Sequence, residues 1–304
     1  NPLKKSIPRC AQAAENHQFY RDLGLRETVH GRFGDLDDDG FMDAVFVNQL
    51  DPSLSIYWGN PSFGFSDAVT LPTLRSGNRP LIYDINGDQK NDILLLHRDL
   101  SKISTHLQQE QRIFSAAQEY PQTPPFEEAV FFDIDDDGDP DLFGKQQGQN
   151  PTGEIKEWYS YREQKDGVFL PQGFLGEHDG TISAPSISTR GLYRIENQSL
   201  YFQSFQNKKL EGRTRLGDVP FPEEEIAALT FFSGLPEGPV LLRHQGFVLH
   251  YYFWKKDRWC WLYSSTDALH DMNDWNQDGV LDILYSKTCA GCTSNHMLGV
   301  GIRE

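Results

Sequence analysis

Apolar residues in this chain come in short runs, and four of them follow closely on an acidic stretch: AVFV from residue 44, ILLL from 93, LFG from 142 and ILY from 283. Runs of this length, rich in Val, Ile, Leu and Phe and bounded by Asp, Asn and Gly, read as β-strands rather than helices. A longer grouping repeats around them. In the first unit an apolar strand, a loop, a second apolar strand, an aromatic-rich third and a fourth run roughly as TVHGRF, MDAVFVN, SLSIYWG and FSDAVTL. In a later unit the same order reads AALTFF, PVLLRH, FVLHYYFW and WCWLYS. The pattern predicts an all-β chain built from four-stranded units.

The acidic stretches set the period. They read DLDDDGFMD from Asp35, DINGDQKND from Asp84, DIDDDGDPD from Asp133 and DWNQDGVLD from Asp274, so the first three lie 49 residues apart. The gap to the fourth is 141 residues, close to three periods, and two degenerate copies are expected inside it. SISTRG at 186–191 and SGLPEG at 233–238 keep the glycine and lose the aspartates. A period of about 40–50 residues with several short strands per unit marks a β-propeller. The expected architecture is six four-stranded blades, with seven as the alternative, in one domain over residues 1–304. The sixth unit ends after its third strand, MLGVGI, and HQFYRDLGL at 17–25 is free to supply the fourth. That pairing of N- and C-terminal strands would close the ring and remove its exposed edges.

Each nonapeptide has Asp at position 1, Asp or Asn at 3, Asp at 5, usually Gly at 6, and Asp at 9. Ca²⁺ takes six to eight oxygens at about 2.3–2.6 Å in flexible geometry. Positions 1, 3 and 5 of a tight coil supply side-chain oxygens, a carbonyl near 7 another, and Asp at 9 two more. Glycine at 6 permits the positive φ of the turn. An EF-hand would need Glu at position 12, which is Phe46, Leu95, Gly144 or Tyr285, and flanking helices.

These segments, FGDLDDDGFMDAVFV, YDINGDQKNDILLL and FDIDDDGDPDLFG above all, resemble the FG-GAP/VCBS repeats of integrin-alpha-like calcium-binding propellers. The resemblance implies about four Ca²⁺ sites. Their ligands would be Asp35, Asp37, Asp39 and Asp43; Asp84, Asn86, Asp88 and Asp92; Asp133, Asp135, Asp137 and Asp141; and Asp274, Asn276, Asp278 and Asp282. Gln89 stands at the glycine position of the second loop, which predicts strain or weaker binding there. In the fourth unit the period puts Ser186 and Ser188 at positions 1 and 3 and Arg190 and Arg194 at 5 and 9, and a guanidinium cannot ligate a cation. The fifth offers only Ser233 and Glu237, so no metal is expected in either.

Charge narrows the partners. The net charge is −16, the four loops hold seventeen aspartates, and four Ca²⁺ would halve the total. Nucleic acid and anionic membrane surfaces are therefore excluded as partners. No run of 18 apolar residues predicts a membrane span. Four cysteines, Cys10, Cys260, Cys289 and Cys292, suffice for two disulfides, and CAGC with His296 also admits a zinc reading. Disulfides and calcium loops of modest affinity both suit an extracellular, cell-surface or periplasmic setting, where calcium is millimolar. No GxSxG, HExxH or phosphate loop occurs, so no catalytic or cofactor-binding residue is assigned beyond the metal ligands. Trp58, Trp158 and Trp254 recur late in third strands, where packing between blades explains them.

Antiparallel strands put the acidic loops on one face of the ring and the more varied connections, such as those near Leu74 and His244–Gly246, on the other. The expected function is a non-catalytic binding or adhesion module, with structural calcium and a protein or glycan partner on the face opposite the metal. The alternative is an enzyme, or an enzyme's accessory domain of hydrolase or lyase type, on the same scaffold.

Overall fold

A computed structural model describes residues 7–10, 19–22, 28–48, 51–60, 65–66, 68–74, 79–97, 102–121, 126–135, 137–149, 155–162, 164–165, 168–170, 173–178, 182–186, 191–206, 209–232, 234–235, 238–266, 268–274, 279–288 and 296–302. Among them the strands form six four-stranded antiparallel sheets and two short ribbons. Sheet one is Thr28–Gly34, Asp43–Asn48, Ser53–Tyr57 and Val69–Pro72; sheet two is Arg79–Tyr83, Asp92–His97, Lys102–His106 and Gln118–Pro121. Sheet three is Phe126–Phe132, Asp141–Gln149, Ile155–Arg162 and Gly173–His178. Sheet four is Ile182–Ser186, Gly191–Glu196, Ser199–Gln206 and Lys209–Asp218; sheet five is Ile226–Thr230, Val240–Gln245, Val248–Lys255 and Arg258–Ser265. Sheet six takes Ala268–Asn273, Asp282–Thr288 and His296–Ile302, and Phe19–Asp22 pairs on its outer edge in the register Phe19↔Ile302 to Asp22↔Gly299. The fold is an all-β propeller.

The second strands of sheets one and two carry the continuous apolar runs AVFV and ILLL because both of their faces are buried, as happens when sheets stack on either side. Val45 and Val47 pack with Ile93 and Leu95 between sheets one and two. The alternate residues Leu94 and Leu96 of the same strand turn the other way, toward Phe126, Phe131 and Leu142 of sheet three. Leu192 meets Phe143 between sheets three and four. Leu241 packs toward Tyr193 and Ile195 of sheet four, and its neighbour Val240 toward Met272 and Ile283 of sheet six. Trp58 and Trp254 lie in these layers, so packing accounts for both; the side chain of Trp158 is outside the described residues. Between sheets six and one, the buried Asp271 accepts the Phe33 N–H at 3.2 Å and pairs with Arg32 at 3.6 Å.

The structure corrects the register that periodicity assigned to the fourth and fifth units. Ser186 pairs with Gly191, so the first connection of sheet four is only residues 187–190, and Arg194 lies within the second strand rather than at the end of a nonapeptide. A period counts a whole unit, and here the shortened connection is compensated by the long hairpin Ser199–Gln206 and Lys209–Asp218. In sheet five Thr230 pairs with Val240, which encloses one residue more than the acidic loops do. Ser188, Arg190, Ser233 and Glu237 lie outside the described residues.

The N-terminal segment is tied to sheet five. Arg9 bridges Trp261 in parallel, Cys10 N–H donates to the Trp261 carbonyl at 2.7 Å, and Cys10 forms a disulfide with Cys260 across 250 residues of sequence. Cys289 and Cys292 lie outside the described residues, and with them the zinc reading. A cross-link closing so long a loop removes unfolded-state entropy worth, on the chain-entropy model, at most about 5 kcal/mol. Cys10→Ser should therefore lower the melting temperature measured by calorimetry, and reductant should do the same to the wild type but not to the variant.

Candidate metal centre

Among the described residues the four acidic loops share one frame. The residue before each pairs with the aspartate at position 9, as Gly34↔Asp43, Tyr83↔Asp92, Phe132↔Asp141 and Asn273↔Asp282. The intervening eight residues must reverse the chain, and in the first two loops left-handed conformations at positions 4 and 6 do this. They are Asp38 (φ 57°) and Gly40 (84°) in the first loop and Gly87 (73°) and Gln89 (68°) in the second. Gly138 and Gly279 serve at position 6 in the others. In all four, the N–H of position 6 donates to the Oδ2 of position 1: Gly40 to Asp35 at 2.9 Å, Gln89 to Asp84 at 2.8 Å, Gly138 to Asp133 at 3.0 Å and Gly279 to Asp274 at 2.9 Å. Position 2 anchors the loop, because Leu36, Ile85 and Ile134 bury their side chains between the sheets.

Position 9 clasps it. Asp43, Asp92 and Asp141 are fully buried, and Oδ2 of each accepts the N–H of position 2, from Leu36 at 2.7 Å, Ile85 at 2.9 Å and Ile134 at 2.7 Å. Oδ1 accepts a second N–H from the connection after the third strand: Gly59 at 2.7 Å, Gln108 at 2.7 Å and Gln164 at 2.8 Å. Each oxygen keeps one lone pair for a cation. Burial, reinforced by the neighbouring aspartates and opposed by these N–H groups, pushes the carboxyl of Asp43 up to about 7 and those of Asp92 and Asp141 to about 6. A Cβ on Gly59 would meet the Met42 carbonyl at 2.5 Å, which accounts for glycine where the next two sheets carry glutamine.

Those glutamines are functional residues that pattern reading missed. The side-chain amide of Gln108 donates to the Leu36 carbonyl of the first loop, and that of Gln164 to the Ile85 carbonyl of the second. Each thus holds its own sheet's clasp through the backbone and the preceding sheet's loop through the side chain. Gln108 follows Asp92 by the same 16 residues as Gly59 follows Asp43, a spacing the sequence does carry. Nothing in the local pattern marks Arg112, which reaches from the ribbon of sheet two to Asp37 Oδ2 at 2.5 Å and Asp39 Oδ2 at 3.5 Å.

Acidic donor atoms gather within 4.8 Å of one another at two places among the described residues: Asp35 with Asp37 and Asp39, and Asp133 with Asp135 and Asp141. The side chain of Asp37 is fully buried, and its Oδ1 has no hydrogen-bond partner. A buried carboxylate oxygen left in that state is costly, and hard oxygen donors around it are the chemistry of a hard divalent cation. In the second loop Lys90 instead takes Asp88 Oδ2 at 3.3 Å, and Asn86 Oδ1 accepts the Asp88 N–H at 3.1 Å. Asp137 is exposed, with Oδ1 accepting the Asp139 N–H at 2.9 Å. Asn276 and Asp278 of the last loop lie outside the described residues.

Two measurements follow from this geometry. In chelator, the native protein keeps protons on Asp43, Asp92 and Asp141 at pH values where the unfolded chain, with carboxyls near 3.8, has lost them. Unfolding then releases protons, so the contribution of these groups to stability falls as pH rises from 3.8 to about 7. Chelated protein should melt higher at pH 5 than at pH 7.5. Gln89→Gly should stabilise by about 1 kcal/mol, because it removes the cost of a left-handed non-glycine residue against a smaller unfolded-state penalty. For a chain this long that is about 2 °C in a thermal melt.

The family profile of FG-GAP-like repeats matches residues 35–95, which hold the first two acidic loops. Among solved structures, a luciferin-regenerating enzyme superposes with a TM-score of 0.52 at 11% identity, covering 93% of this chain and 95% of that one. A chain of the Photorhabdus luminescens Tc holotoxin pore does so at 0.52 and 13% identity, covering 95% of this chain and 15% of its own length. No curated protein sequence matches. At such identities the likeness is one of fold. The chain is a β-propeller whose residues 35–95 match the FG-GAP-like repeat profile.

Proposed function

We propose that the six sheets are the blades of one ring closed by Phe19–Asp22, and that the chain is a calcium-stapled binding module working outside the cytosol. The observation that carries the metal reading is the buried, unpartnered Asp37 Oδ1 beside Asp35 and Asp39, in a loop design repeated in the later units. Asp35, Asp37 and Asp39 would hold one ion and Asp133, Asp135 and Asp141 another, with Asp43 contributing through its spare lone pairs. Bound Ca²⁺ supplies charge neutralisation and a rigid cross-link within each loop. The disulfide Cys10–Cys260 supports an oxidising compartment.

A protein or glycan partner is proposed for the face opposite the acidic loops. Two described connections there hold large apolar side chains in solvent, Leu74 at 58% exposure and Phe247 at 98%. The luciferin-regenerating enzyme shares the fold alone, and the pair His97 Nε2 with Ser104 Oγ, at 2.7 Å, is fully buried within sheet two. Among the described residues that pair therefore lends no support to the enzymatic alternative. Among the described residues no helix is long and apolar enough to cross a membrane.

Saturating calcium should raise the melting temperature over chelator, each site adding roughly 2.7 kcal/mol at a hundred times its Kd. Asp135→Asn should reduce that shift more than Asp88→Asn, whose carboxylate already faces Lys90. A wild-type melt indifferent to chelator would overturn the metal reading. A glycan and secreted-protein array, probed with wild type and Phe247→Ser with and without calcium, tests the partner face. The expected result is a calcium-dependent signal that the substitution weakens.

A further inference from the structure

The strongest cluster outside the repeat pattern is the one around Arg112. Its short ribbon, Gln108–Glu110 and Ile113–Phe114, belongs to sheet two but leans on the first loop of sheet one. Arg112 itself has φ 65° at the ribbon's turn, and its N–H donates to Gln108 Oε1 at 3.2 Å. Its guanidinium lies 4.9 Å from the centre of the Trp58 ring, with Nε on Asp37 Oδ2 at 2.5 Å and Nη2 on Asp39 Oδ2 at 3.5 Å. Gln111 Nε2 adds a bond to the Asp37 carbonyl at 3.2 Å. The residues at positions 3 and 5 of the loop are thus held from a different sheet by a positive charge.

We propose that Arg112 is a built-in cation of the first loop, which keeps that loop folded without metal and weakens its hold on a divalent ion. This rests on the reading of the loops as cation sites. Three carboxylates with donor atoms within 4.8 Å repel one another. One guanidinium on two of them offsets part of that repulsion. Arg112 takes only Oδ2 of Asp37, and Oδ1 stays buried without a partner. An entering ion can therefore share Asp37 with Arg112, at the cost of a like charge a few ångström away. The stacking on Trp58 fixes the guanidinium there and makes Trp58 a local reporter.

The test titrates full-length wild type, Arg112→Gln and Arg112→Lys with Tb³⁺, exciting tryptophan and reading lanthanide emission, then displaces it with Ca²⁺. The emission component absent from Trp58→Phe belongs to the first loop. Thermal melts in calcium and in chelator accompany each titration. Arg112→Gln is expected to tighten the first-loop component by about tenfold or more, tenfold being the scale of removing one nearby like charge that is screened almost as in water. It should also lower the melting temperature in chelator more than in calcium. Arg112→Lys, which keeps the charge, should stay near wild type. Unchanged or weaker first-loop affinity in Arg112→Gln, or equal losses in both melts, would overturn the proposal while leaving the cation sites standing. Absence of any first-loop signal in all three proteins, together with melts indifferent to chelator, would overturn the cation reading as well.

Discussion

A buried carboxylate that accepts two backbone N–H groups from different parts of its sheet is the interaction on which the rest of this fold turns. Asp43, Asp92 and Asp141 each join the second residue of an acidic loop to the connection after the third strand. An apolar side chain at that position would leave two buried N–H groups unsatisfied, at roughly 1–3 kcal/mol each. The clasp also fixes the start of the second strand, from which Val45, Leu94 and their neighbours fill the layers on both sides. In sheets one to three, loop geometry and the start of the packed strand are therefore set by one residue each. Its cost appears in the carboxyls themselves, which burial pushes up to about 7 in Asp43 and about 6 in Asp92 and Asp141.

Much of this was legible in the sequence because the signals are local. Nine residues of Asp, Asn and Gly at fixed offsets specify a loop, and AVFV or ILLL specifies the strand after it. The left-handed position 6 could be read from Gly40, Gly138 and Gly279, and the exception at Gln89 adopts the conformation its neighbours predict. Sheets four and five were misread because periodicity constrains the length of a unit, not the division of that length among its connections. Ser186↔Gly191 closes sheet four's first hairpin in four residues while a longer hairpin restores the count. Long-range polar contacts were beyond local reading. Arg112 lies 75 residues from Asp37, and Asp271 lies 238 from Phe33.

The same polar contacts explain how so acidic a chain folds at all. Seventeen aspartates in four short loops give self-repulsion that salt screens only beyond about 10 Å. Much of the answer is backbone: position-1 carboxylates accept the N–H of position 6, and position-9 carboxylates accept two more. Lys90 in the second loop and Arg112 over the first supply fixed positive charge. The unpartnered Asp37 Oδ1 is where these internal devices stop. The cation proposed for this loop would act where the backbone and the basic side chains have been used up.

The glutamine braces link the loops into a series. The Leu36 carbonyl accepts Gln108, whose N–H reaches Asp92; Asp92 holds Ile85; the Ile85 carbonyl accepts Gln164, whose N–H reaches Asp141 and through it Ile134. Every step is a hydrogen bond between groups that are buried, so breaking one exposes a donor or acceptor with no water to replace its partner. A loop in this series cannot shift its second residue without straining the clasp of the next sheet. Sheets one to three are therefore held to one another along their loop edges by polar bonds as well as through their apolar layers, and the proposed ion, by fixing one loop, would fix the carbonyl on which its neighbour's brace depends.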